Sequence, residues 1–138
     1  MVATRSVRRT FLDSSSSQGR PHMDRIYPAF LNSCAGFTYA LRTERAIRQE
    51  FVLFLIGLPL AFLAGATAWL RLTLILSLVA ILCVEFLNTC IEKLCDHVTP
   101  DIHDTIKVIK DMGSAACFCA QASAAVIWIF AVSIRIAG

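Results

Sequence analysis

Four polar side chains recur on one helical face near the middle of the chain. Glu85, Asn88, Glu92 and Asp96 stand at i, i+3, i+7 and i+11. At 100° per residue they fall within a sector of about 80°. Three carboxylates and an amide on one stripe repel each other unless a cation joins them. Hard oxygen donors suit Mg²⁺, which is commonly held by one or two carboxylates together with phosphates. Glu85 lies inside an otherwise apolar stretch, where a carboxylate is expensive and points to function, here a general base. Glu92 and Asp96 also fit a solvated helix end that carries acids. A second polar group, Lys110-Asp111, precedes the small residues Met112-Gly113-Ser114-Ala115-Ala116. A lysine there suits a phosphate, and the small residues suit close helix packing, which alone accounts for Gly113 to Ala116. No glycine-rich phosphate loop and no kinase catalytic-loop sequence is present.

The elements that must position these residues are apolar. Hydrophobic residues make up 57% of the 138 and charged residues 17%. The charges are segregated: residues 51–84 hold only Arg71, and residues 112–138 only Arg135. Such segments cannot supply the polar coat of a soluble enzyme, and the composition fits neither a disordered chain nor a disulfide scaffold. The expected fold is an all-α integral membrane protein. Three transmembrane helices, at about 51–70, 72–94 and 112–135, each reach the roughly 30 Å of the hydrocarbon core. Glu85 then lies about 9 Å inside one end of the second span.

An amphipathic surface helix is expected ahead of them over 28–49, with Pro28 in its first turn and Phe30, Cys34, Phe37 and Leu41 on one stripe. Residues 1–22 read as a disordered tail. The arginine pair Arg8-Arg9 lacks the apolar core of an export signal, since Asp13 and four serines follow. No basic stripe with interleaved aromatics argues for nucleic acid. The six cysteines show no C-x-x-C spacing and read as small packing residues. The positive-inside rule places the N-terminus and the 92–111 loop in the cytoplasm, and Arg71 and the C-terminus outside.

Taken together, Glu85-Phe86-Leu87-Asn88-Thr89-Cys90-Ile91-Glu92, Asp96, His103 and Lys110 to Ala116 resemble the signature of the small prokaryotic diacylglycerol kinase family, which includes undecaprenol kinases. The likeness runs from about Arg25 to the C-terminus, takes in Glu44 to Glu50, and frames one membrane kinase domain over 23–138. It implies a homotrimer of three-span subunits with shared active sites in a bacterial inner membrane. It implies transfer of the ATP γ-phosphate, with Mg²⁺, to the hydroxyl of a membrane lipid. By the same resemblance Glu85 would be the base and Asn88 would position the groups around it. Glu44 and Glu92 would hold the metal with ATP. Arg25, Asp101, His103, Lys110 and Asp111 would contact the nucleotide. Gln49 and Ser114, with Glu85, would face the lipid. Without the resemblance His103 reads as a structural or solvated loop histidine.

Arg48-Gln49-Glu50 resembles the diacylglycerol-using branch more than the undecaprenol branch. A rival of another class is a small proton-conducting membrane subunit using Glu85, although such subunits lack a basic surface helix and a Lys-Asp pair.

Overall fold

The computed structural model describes residues 23–98 and 103–137, with side chains from Ile26 onward. The 1–22 tail, the side chain of Arg25 and Asp101 lie outside the described residues. Four helices follow in order: α1 (Met23–Thr43), α2 (Arg45–Ala64), α3 (Ala68–Val98) and α4 (Asp104–Ala137). The last three are long and apolar enough to cross a membrane. The fold is all-α and integral to the membrane.

The chain divides at Tyr39 into two compact units. In the first, α1 begins five residues before Pro28, not at it. A proline this near the start costs only one backbone bond, to the carbonyl four residues earlier. Every side chain from Ile26 to Tyr39 is exposed, the Phe30, Cys34 and Phe37 stripe included.

In the second unit the helix expected to run through residue 49 is interrupted at Glu44, whose backbone is extended (φ −101°, ψ 122°). The Arg48 guanidinium donates to the carbonyls of Arg42 (3.0 Å) and Leu41 (3.5 Å). It thereby caps the last turn of α1 from the first turn of α2. The turn from α2 to α3 is equally short. Arg71 Nε donates to the Gly65 carbonyl at 2.8 Å, and the Thr67 hydroxyl accepts from the Leu70 N–H at 3.2 Å, an N-cap on α3. Pro59 leaves α2 continuous.

α3 is the central helix and packs on both α2 and α4, most extensively on α4. Its buried face reads Leu74, Ser77, Leu82, Glu85, Asn88, Thr89 and Cys95, so the polar stripe continues an apolar one. The facing side of α4 is built from small residues: Gly113, Ala124 and Ala131 are buried, Cys117 and Ala120 half-buried. Between membrane helices, where lipid is as apolar as leucine, such residues gain association by letting backbones approach. Ala61, Leu74 and Ala131 close the core at the end near the α2–α3 turn. The outward side chains of all three spans, Leu55, Phe62, Leu76, Phe118 and Ile129 among them, are exposed apolar groups suited to acyl chains.

α3 and α4 also run further than the expected spans. Helix continues to Val98 and resumes at Asp104, so most of the expected 92–111 loop is helical. The apolar window ends at the first charges, but backbone hydrogen bonding does not stop at the water surface. Lys107 to Asp111 (2.9 Å, i,i+4) and Lys110 to Asp96 (2.5 Å) support the extensions. At the head of α4, His103 Nδ1 accepts from the Thr105 N–H at 3.3 Å, a capping role.

Gly113 is fixed by its neighbour: a Cβ there would collide with Asn88 Oδ1. Gly113→Ala is therefore expected to lower stability in detergent by about 1–3 kcal/mol. Gly36→Ala, where a Cβ meets nothing within 4 Å, should be neutral or stabilising by up to about 1 kcal/mol. Thermal or denaturant unfolding of the two variants measures the difference.

Candidate functional site

The α3–α4 seam gathers the acids. Glu85 and Asn88 are 9% and 8% exposed, deep enough that each polar group needs a partner. Asn88 Nδ2 donates to Glu92 Oε1 at 3.1 Å, tying two of the stripe residues together. Asn88 Oδ1 is buried against Gly113 and has no hydrogen-bond partner among the described residues. Cys117 of α4 is half-buried on the side of that helix that carries Gly113. One turn further along α4, Gln121 Nε2 donates to Glu50 Oε1 of α2 at 2.9 Å. α4 thus supplies a donor to an acid of α2.

At the wet end, Glu44 is paired with Lys93 of α3 at 2.7 Å. The Lys93 ammonium, and secondarily the Thr43 hydroxyl, hold the Glu44 carboxyl below its ordinary range. Asp96 is drawn to Lys110, so that lysine engages an acid of the stripe. Asp111 is held by Lys107. Ser114 and Gln49 are exposed, Gln49 in an open hollow with Arg48, Glu50, Val52 and Leu53.

The sequence-selected residues therefore fall into clusters. Glu85, Asn88 and Glu92 come together on α3, and Glu44 reaches that helix through Lys93. Lys110 joins at Asp96 while His103 is engaged at the α4 cap. Glu50 and Gln121 were not selected from the sequence. Their signal was present: an acid at the rim of the first span and an amide within an otherwise uncharged third span, both costly in lipid.

Among the described residues, no group of three or more His, Cys, Asp or Glu side chains forms a metal cage. The oxygen chemistry of Glu44 and Glu92 nonetheless suits Mg²⁺, which commonly takes one or two carboxylates and completes its shell with water and substrate phosphate.

Residues 31–132 match the family described as prokaryotic diacylglycerol kinase. The chain belongs to that family. It is 38% identical over 117 residues to a diacylglycerol kinase of Pseudomonas aeruginosa, covering 85% of this chain and 95% of that one. It is 36% identical over 104 residues to the diacylglycerol kinase of Escherichia coli K12, covering 75% and 85%. A Haemophilus influenzae diacylglycerol kinase is 31% identical over 96 residues, covering 70% and 81%. Membership makes the chain an enzyme, a membrane lipid kinase. The matched stretch contains Glu44, Glu50, Glu85, Asn88, Glu92, Lys110 and Gln121.

The Lys93–Glu44 pair has a defined pH window. A carboxyl with a depressed folded value adds stability that is present above its ordinary value of 4.5 and is lost as pH falls through the lower folded value. The pair is solvent-screened, so its worth is below about 1 kcal/mol. Unfolding in detergent should show Glu44→Gln removing a small part of the acid sensitivity below pH 4.5 while leaving stability at pH 7 nearly unchanged.

Proposed function

We propose that the chain transfers the γ-phosphoryl group of ATP to the free hydroxyl of diacylglycerol, giving phosphatidic acid and ADP. Glu85 takes the hydroxyl proton as the lipid oxygen bonds to the γ-phosphorus and the bond to the ADP oxygen breaks. Phosphoryl transfer asks mainly for positioning and charge neutralisation, so one well-placed base and a cationic rim suffice. Asn88 positions the base and Glu92. Glu44 and Glu92 would hold Mg²⁺, which neutralises phosphate charge when bound. Lys110, Asp111 and His103, with Arg25 and Asp101, face the nucleotide, and Gln49 and Ser114 face the lipid.

The observation that carries this reading is the depth of Glu85. It is buried in a membrane-spanning helix, yet Glu92, two turns on, is partly exposed at the polar end. A lipid hydroxyl arriving sideways and a nucleotide arriving from water can meet along that interval. Charge distribution supports a cytoplasmic-membrane location with the N-terminus inside and the C-terminus outside. Eight arginines before residue 50 and Lys93, Lys107 and Lys110 stand on the inner side, against Arg71 and Arg135. The family resemblance supports a homotrimer with shared sites.

Purified protein in mixed micelles with labelled ATP and Mg²⁺ should label diacylglycerol, and undecaprenol much less. Glu85→Gln should lower turnover by about 10²–10⁴-fold without loss of helical content. Full activity in that variant overturns the base assignment. Preferential labelling of undecaprenol transfers the reading to that acceptor, and proton flux without lipid labelling replaces it.

A further inference from the structure

A groove of about 290 Å³ runs along the membrane-spanning parts of α2, α3 and α4. Its two ends differ. Glu50 and Gln121 stand at one, and Trp128 at the other, where its indole N–H donates to Ser77 Oγ at 3.3 Å. Between them the lining is apolar, with Leu53, Phe54, Gly57, Leu78 and Ala124 among it. Along α2 the groove spans Glu50 to Leu60, about 15 Å, half the hydrocarbon core and thus one leaflet's acyl chain.

The polar end has a defined chemistry. Glu50 accepts only, and one Gln121 N–H is committed to it. The second N–H of the amide has no bond among the described residues, and a donor left unpaired in the hydrocarbon is costly, which favours a ligand that accepts from it. A hydroxyl can donate to Glu50 while an ester carbonyl accepts from Gln121. A molecule with both groups on one short head and an apolar chain is an acylglycerol, whereas a polyprenol offers the hydroxyl alone.

We propose that Gln121 is a positioning residue for the lipid acceptor: its amide holds Glu50 at the head of this groove, and the pair seats the hydroxyl and ester of diacylglycerol while one acyl chain runs toward Trp128. The inference rests on the kinase reading above, in which the seated hydroxyl turns from Glu50 to Glu85 as its proton is taken.

The test uses full-length protein with Trp69→Phe, which leaves Trp128 as the only tryptophan. Diacylglycerol brominated along its acyl chains should quench Trp128 more strongly than brominated phosphatidylcholine at equal mole fraction in micelles. Gln121→Leu should abolish that difference. The same substitution should raise KM for diacylglycerol five- to tenfold, as expected for one lost hydrogen bond, with kcat changed less than twofold and KM for ATP unchanged. With the dialkyl ether analogue, which has no carbonyl but keeps the hydroxyl, Gln121→Leu should raise KM clearly less than with the ester, by no more than about twofold from the loosened Glu50. A merely structural glutamine would affect ester and ether alike, and that result overturns the proposal. Equal quenching by the two brominated lipids overturns it as well. So does quenching by neither, the outcome if a helix of a second copy fills the groove. If no lipid is labelled but the quenching difference persists and depends on Gln121, the seat stands and the kinase reading fails.

Discussion

A carboxylate below the lipid headgroups is tolerated only with a partner, and this requirement organises the bundle. Glu50 and Glu85 sit on α2 and α3, in surroundings where no bulk water compensates charge. Glu50 looks to α4, which presents Gln121 to it, and Glu85 lies on the buried face of α3. Packing and chemistry are thus one problem: Gly113 is small so that Asn88 fits, and Asn88 in turn ties down Glu92.

Toward the water the same logic continues with full charges. Lys93 meets Glu44, and Lys110 meets Asp96. Exposed ion pairs contribute little to stability. Their significance is that they are exchangeable. On the proposed reading, a triphosphate with its metal would be a stronger partner for these lysines than an isolated side-chain acid, and Glu44, once released from Lys93, would gain oxygens free for a cation. The polar rim is complete in the protein alone yet can be repartnered at modest cost.

Much of this was legible in the sequence. Twenty-residue apolar runs at 51–70 and 72–91 announce spans regardless of tertiary detail, and the 3.6-residue period places Glu85, Asn88 and Glu92 on one face. Three things were not legible. The break at Glu44 carries no glycine or proline signal and depends on Arg48 reaching back to the carbonyls of Leu41 and Arg42. The helical extensions beyond the membrane hide behind their charges, because a hydropathy window ends where lysines begin. The Glu50–Gln121 bond joins residues 71 apart in sequence, and no local pattern pairs an acid on the first span with an amide on the third. The polar stripe also suggests acids waiting on a cation, whereas the fold gives Glu92 and Asp96 protein donors of their own.

The antiparallel match of α3 with α4 has a consequence for how such chains can change length. Asp96 meets Lys110, Asn88 meets Gly113 and Ser77 meets Trp128, so the two helices are in step along their whole overlap. Deleting one residue between Ser77 and Asn88 would turn everything beyond it by about 100° and strand both acid and amide against acyl chains. Residues gained or lost between Val98 and His103 leave that step untouched. Relatives of this fold should therefore tolerate insertions at the connector and almost none within the paired helices.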